Sequence, residues 1–270
     1  MYGVLLVNWN TFSSIQAVVI EMPSTAYQDS IIGYIDILGF SDLVKDDRVD
    51  TILRAMRIIR RRLNRIDEFP KTPLRHTMFS DTVVFSAELT DEGIVALIHN
   101  VAYLTAALFL KGIFCRGAIT KGQLYHREAT IFGPALINAH RQESRLAIYP
   151  RIIIPYELAL RFLDIKNAGH HRDLHRGIGD YFRHDFDNQY HVDIFSPWMS
   201  KPPRSGLVSN TVVRVVQHHL LQRIDVSDNV EVQRVQSKLF WLSEYLEYVD
   251  KIHGPIRFGA SYRRASKIPK

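Results

Sequence analysis

The sequence predicts an α+β fold: one sheet with helices packed on one face and further helices at the C-terminal end. Three observations predict it. Short apolar runs with strand character alternate with longer amphipathic stretches, in the order strand, long helix, strand hairpin, helix, strand, strand. The 270 residues are 46% hydrophobic, enough for one sizeable core. Two of the strand-like runs, Ser30 to Phe40 and Met78 to Phe85, each carry a single carboxylate, Asp36 and Asp81.

In chain order, Ser30–Asp36 reads as a buried strand. Residues 40–68 read as one helix, with Ile52, Ala55, Met56, Ile59, Leu63 and Ile66 near one face. Its other side carries Arg54, Arg57, Arg60, Arg61, Arg62 and Arg65, the pattern of a solvated face rather than a nucleic-acid surface. Residues 75–80 and 82–87 form a hairpin around Ser80-Asp81, and 92–110 form a helix. Residues 113–120 and 123–126 read as two strands. A helix runs from Pro134 to Ala147, with proline in the first turn, where a missing N–H costs nothing. A short strand at 152–154 and a helix at 156–163 follow, then a hairpin of 181–183 with 190–194 turning at Asp187-Asn188. A Pro/Gly/Ser linker at 201–206 leads to two helices, 207–224 and 230–252. These divide the chain into an N-terminal extension (1–29), a main domain (30–200), a C-terminal helical extension (207–255) and a tail (256–270).

A net charge of +6 and a pI near 9.4 favour anionic partners without separating nucleotide from nucleic acid or acidic protein. The single cysteine, Cys115, excludes an intrachain disulfide and a cysteine-based zinc site, which fits a reducing compartment and a cytoplasmic location. Polar residues interrupt the apolar N-terminal stretch, so no membrane association is expected. Among the histidines, His170 and His175 with His171, and the pair His218-His219, sit in patterns better read as loop or surface than as metal ligands.

Asp36 alone would be an ordinary turn or capping carboxylate. Two carboxylates inside apolar runs are different, because an isolated buried charge is expensive and a divalent metal compensates it most simply. Strand spacing of about 4.8 Å lets neighbouring strands share metals about 3.5–4 Å apart, with a backbone carbonyl near Ile37 as a further oxygen. Gly39 lets the chain turn after Asp36 into a helix start at Phe40, whose N–H groups suit phosphate.

Four motifs then carry a family resemblance. Tyr34-Ile35-Asp36-Ile37-Leu38-Gly39-Phe40-Ser41 resembles the metal-binding strand of class III nucleotidyl cyclases, and Phe79-Ser80-Asp81-Thr82 resembles their second metal site. Arg116-Gly117-Ala118-Ile119-Thr120-Lys121-Gly122 is similar to a strand and turn of that family. The stretch from Phe132 to Glu143 is similar to its catalytic helix. Thr77 and Thr130 stand where purine cyclases select their base, Ile137 stands where they carry asparagine, and Arg141 keeps the register of the transition-state arginine. This combination, with Ala147 to Ile152, most resembles the pyrimidine cyclases of Pycsar antiphage systems.

The resemblance implies a class III cyclase-like sheet of the ferredoxin-like or palm type. It implies two Mn²⁺ or Mg²⁺ ions on Asp36, Asp81 and the Ile37 carbonyl, nucleotide contacts from Gly39, Phe40, Thr77 and Thr130, and catalysis by Arg141. It further implies a homodimer with shared active sites that converts UTP to cyclic UMP and pyrophosphate, the product acting on a separate effector. Lys121 and Arg151 are candidates to reach the triphosphate. Cytidylate cyclase, an inactive cyclase-fold nucleotide sensor, and a purine cyclase or polymerase-palm relative remain as alternatives. No residue settles uridine against cytidine, whose bases differ at the 4-position.

Overall fold

A computed structural model describes residues 26–67, 74–167, 181–194 and 230–253. The sequence-predicted linker at 201–206, the helix at 207–224, the tail, and His170, His171, His175, His218 and His219 lie outside these residues.

The first strand, β1 (Gln28–Ile37), leads into a short helix α1 (Phe40–Lys45) and a long one, α2 (Val49–Asp67). One continuous helix over 40–68 was expected, and the chain breaks it at Asp46-Asp47-Arg48. Asp47 takes a left-handed conformation, φ 53°, and the Arg48 N–H reaches back to the Leu43 carbonyl at 2.8 Å. This is a Schellman closure made without the usual glycine, which is why the composition did not announce it. α2 then buries Ala55, Ile59, Leu63 and Ile66, leaving most of its arginines exposed. Arg62 is the exception: it turns inward, donating to Asn100 Oδ1 at 2.6 Å and lying over the Tyr103 ring.

β2 (Arg75–Phe79) and β3 (Thr82–Glu88) make the expected hairpin, and α3 (Asp91–Phe109) follows. Thr90 caps α3 by accepting the Gly93 N–H at 3.1 Å, with Asp91 and Glu92 in the positive first turn. By length and composition α3 is the one helix among the described residues able to cross a membrane, but 61% of its apolar window is buried inside this fold. It approaches the sheet closely because β1 carries a glycine there. A Cβ on Gly33 would stand 2.7 Å from Val101 Cγ2.

β4 (Cys115–Arg127) replaces two expected strands by one, since Lys121 and Gly122 keep the ladder with β1 unbroken. It folds back at Glu128 into β5 (Thr130–Phe132), a strand not read from the sequence. Then come α4 (Pro134–Leu146), β6 (Ile152–Ile153), α5 (Tyr156–Asn167), the hairpin β7 (Phe182–His184) and β8 (Tyr190–Val192), and α6 (Val230–His253). The sheet order is β2-β3-β1-β4-β6-β8-β7, with β5 added on β4. All pairs are antiparallel except β4 with β6.

Alternation along β1 sorts the helices. Ile31, Ile35 and Ile37 enter the main core with α2, α3, α5 and α6, the helical layer expected on one face. Ile32 and Tyr34 face the other way and meet Ala135 and Ala139, so α4 is the helix that covers the opposite face among the described residues, beside Leu124 and Ile131 of the β4–β5 hairpin. The C-terminal helix is part of the main core through Trp241, Leu242, Tyr245 and Leu246.

Arg151 fastens this end of the molecule. It is 2% exposed, ion-pairs with Asp185 and Asp187, and lies over Tyr149 and Trp241, while Trp241 Nε1 donates to Asp185 at 2.5 Å. All of its charge is spent inside the protein, which removes it as a triphosphate ligand. Replacing it by methionine leaves two carboxylates partly buried without their cation. We expect Arg151→Met to cost about 3–5 kcal/mol in urea unfolding, whereas a loss below about 1 kcal/mol would show the cluster to be hydrated.

Candidate active site

The β1 ladders bring the site together. Asp36 is paired across β3 with Thr82 and across β4 with Arg116, and as an even-numbered residue of β1 it points to the α4 face. Asp81 sits one residue before Thr82, at the tip of the β2–β3 hairpin, where Ser80 takes φ 54° and the Asp81 carbonyl accepts the Ile37 N–H at 3.3 Å. The structure therefore places Asp36, the Ile37 backbone and Asp81 side by side, as the motif spacing requires.

The surroundings were not legible. Thr82 Oγ1 donates to Asp36 Oδ1 at 3.3 Å. Arg116 Nε lies 3.5 Å from Asp36 Oδ2 and 2.5 Å from Glu143 Oε1, the latter an ion pair without the alignment of a hydrogen bond. Glu143 is buried under α4, in line with Ala135 and Ala139. A lone carboxylate on a small apolar helical stripe was the signal that could have revealed this pair. Burial, then the negative charge of Asp81, raises the Asp36 carboxyl above its ordinary range, only partly countered by Arg116 and Thr82. Burial raises Glu143 as well, Arg116 opposing and Asp36 adding. Two acids thus share one guanidinium, and the negative charge of Asp81 acts on both of them.

Surplus negative potential at Asp36 and Asp81 is what a divalent cation relieves, so the residues fit one. Among the described residues no group of three or more His, Cys, Asp or Glu side chains is arranged to hold a metal. Two carboxylates completed by a backbone carbonyl and phosphate oxygens is a usual manner of binding Mg²⁺.

The charge crowding also has a stability sign. A carboxyl raised in the folded state loses its proton later than in the unfolded chain, so folding stability falls as pH rises from the unfolded value through the folded one. Asp36→Asn removes that loss. In EDTA its melting temperature should match wild type near pH 4 and exceed it increasingly toward pH 7; a variant less stable at pH 7 would show that the Arg116 pair outweighs the crowding.

The remaining expected residues divide into two groups. Gly39 takes φ 72° and starts α1, its carbonyl accepting the Asp42 and Leu43 N–H groups. The Phe40 ring packs against the main core, leaving only its backbone toward a ligand, and α1 is six residues rather than the start of a long helix. Thr77 shares the site face through its register with Val84 and Tyr34. The hairpin carrying Thr130 folds back over β2, bringing the Glu128 carbonyl 3.4 Å from the Thr77 hydroxyl. Arg141 is not brought to the carboxylates. It is exposed, two residues before the inward Glu143 and about 200° from it around the helix, on the same outward stripe as Ile137, which is 62% exposed.

No protein-family model matches the chain, and no curated protein matches it. Solved structures similar to it include the guanylyl cyclase Cya2, at 11% identity over 50% of this chain and 79% of that one, with a TM-score of 0.39. A bacterial light-regulated adenylyl cyclase is 14% identical over 79% of this chain, TM-score 0.40, and the match covers only 57% of that protein. The dimeric guanylyl cyclase domain of the RhoGC fusion protein from the aquatic fungus Blastocladiella emersonii is 13% identical over 61% of this chain and 93% of its own, TM-score 0.36.

Proposed function

We propose that this chain is a pyrimidine nucleotide cyclase, converting UTP to 3′,5′-cyclic UMP and pyrophosphate. The observation that carries the reading is the meeting of Asp36, the Ile37 backbone and Asp81 on the face under α4, with the Asp36 carboxyl raised by burial and then by the charge of Asp81.

Asp36, Asp81 and the Ile37 carbonyl would hold two Mn²⁺ or Mg²⁺ ions, which supply charge neutralisation at the triphosphate and a more acidic ribose 3′-hydroxyl. Gly39 and Phe40 offer backbone N–H groups to the phosphates at a turn that only a residue tolerating φ 72° forms without strain. Thr77 and Thr130 flank the base, Thr77 standing two strands across from β1 in register with Tyr34. Arg141 stabilises charge on the α-phosphate. Because it points away from its own carboxylates, it serves the site of a second copy, and the enzyme is a homodimer with two shared sites. The exposed apolar residues Ile137, Phe132 and Phe79 suit that interface. The cyclic product acts on a separate effector in antiphage defence in the cytoplasm, with no role for nucleic acid or membrane.

One observation favours a second reading, a nucleotide sensor without turnover: Arg116 already pairs with Asp36 in the single chain. Incubation with Mn²⁺ and each of UTP, CTP, ATP and GTP, with products identified by mass, separates the two. Cyclic UMP establishes the reading and cyclic CMP moves it to a cytidylate cyclase. A cyclic purine overturns the base assignment, and no product from a dimer that binds nucleotide leaves the sensor.

A further inference from the structure

His126 has no part in the chemistry above, yet it is buried within the fold of β4 over the sheet. Its Nε2 lies 2.7 Å from Thr77 Oγ1 on β2, and its Nδ1 lies 2.7 Å from Ser86 Oγ on β3. His126 is 5% exposed and Ser86 1% exposed. Burial, with Arg75 and His76 nearby, pushes the imidazole down to about 4, so at neutral pH it carries one proton on one nitrogen. Which nitrogen that is decides what Thr77 can offer a ligand.

Counting protons decides it. If Nδ1 carried the proton it would donate to Ser86, and the Ser86 hydroxyl hydrogen would be buried with His126 as its one hydrogen-bond partner among the described residues and no acceptor in it. That is a costly arrangement. If Nε2 carries the proton, the Ser86 hydroxyl donates to Nδ1, Nε2–H donates to Thr77, and the Thr77 hydroxyl keeps its own hydrogen for the Glu128 carbonyl at 3.4 Å. Every donor is then used. The last bond is long and weak, so this hydrogen is the one a ligand can take over. We propose that Ser86, His126 and Thr77 form a directed relay that fixes the Thr77 hydroxyl as a hydrogen-bond donor, making Thr77 a specificity residue that reads a carbonyl oxygen, and therefore uracil O4 rather than the cytosine amino group.

The inference rests on the pyrimidine-cyclase reading for the placement of Thr77 beside the base, while the relay itself rests on the hydrogen bonds alone. The two are tested separately. ¹⁵N-labelled protein, without nucleotide, should show His126 as the neutral Nε2–H tautomer, and the Nδ1–H tautomer would overturn the relay whatever the enzyme makes. Equilibrium binding and kcat/KM for UTP and CTP should then show a UTP preference in wild type that Thr77→Val reduces by about tenfold or more and Thr77→Ser retains. A Thr77→Val protein with the wild-type ratio overturns the specificity role while leaving cyclase activity standing. Failure of the wild type to bind any nucleotide, with the Nε2–H tautomer in place, would sink the cyclase reading and the role of Thr77 with it.

Discussion

Asp81→Ala should lose turnover by about 10³-fold or more while the protein keeps its fold. The contact that ties this hairpin to β1 is made by the Asp81 backbone carbonyl, which accepts the Ile37 N–H and survives any side-chain change. The carboxylate itself contributes crowding, since it is the largest charge raising Asp36. Its removal therefore leaves Asp36 more readily ionised and the metal-free protein no less stable. The decisive readout is linkage. Mn²⁺ at a hundred times its dissociation constant should stabilise the wild type by about 2.7 kcal/mol, and the variant hardly at all at the same concentration. A variant that loses activity but keeps the whole Mn²⁺-dependent shift would show that Asp81 is not a metal ligand. One that also melts far lower without metal would show a structural role.

The sequence disclosed the parts of this site whose chemistry is local. A carboxylate in a strand, a glycine after it and a second carboxylate at a hairpin are visible as short patterns, and the register of β1 with β3 then brings Asp36 beside Asp81. What it hid depends on contacts distant in the chain. Arg116, Glu143 and Asp36 meet only because β4 lies beside β1 and α4 crosses the same face. His126 reaches Thr77 only because β4 runs past its partner and folds over the sheet with β5. Arg151 shows the converse: a basic residue near a candidate site stood as a candidate for the triphosphate, while two acids on the β7–β8 hairpin and the Trp241 ring hold it inside the fold. The break between α1 and α2 escaped because aspartate, not glycine, takes the left-handed position.

The outward position of Arg141 leads to the expected result with the sharpest outcome. If Asp36 and Asp81 come from one chain and Arg141 from the other, Asp81→Ala and Arg141→Ala each disable both sites of their own homodimer. A heterodimer of the two variants distributes the lesions unequally. One site holds both changes and the other holds neither, so a purified heterodimer carrying two different affinity tags should recover about half of wild-type activity. Equal mixing with free exchange of subunits should give about a quarter, since half of the dimers are then mixed and each has one intact site. Recovery of this size cannot come from sites made within single chains, because every chain in the mixture would still carry a lethal change. If the isolated heterodimer is as inactive as its parents, Arg141 acts on its own chain's carboxylates or on none, and the shared-site dimer falls with it.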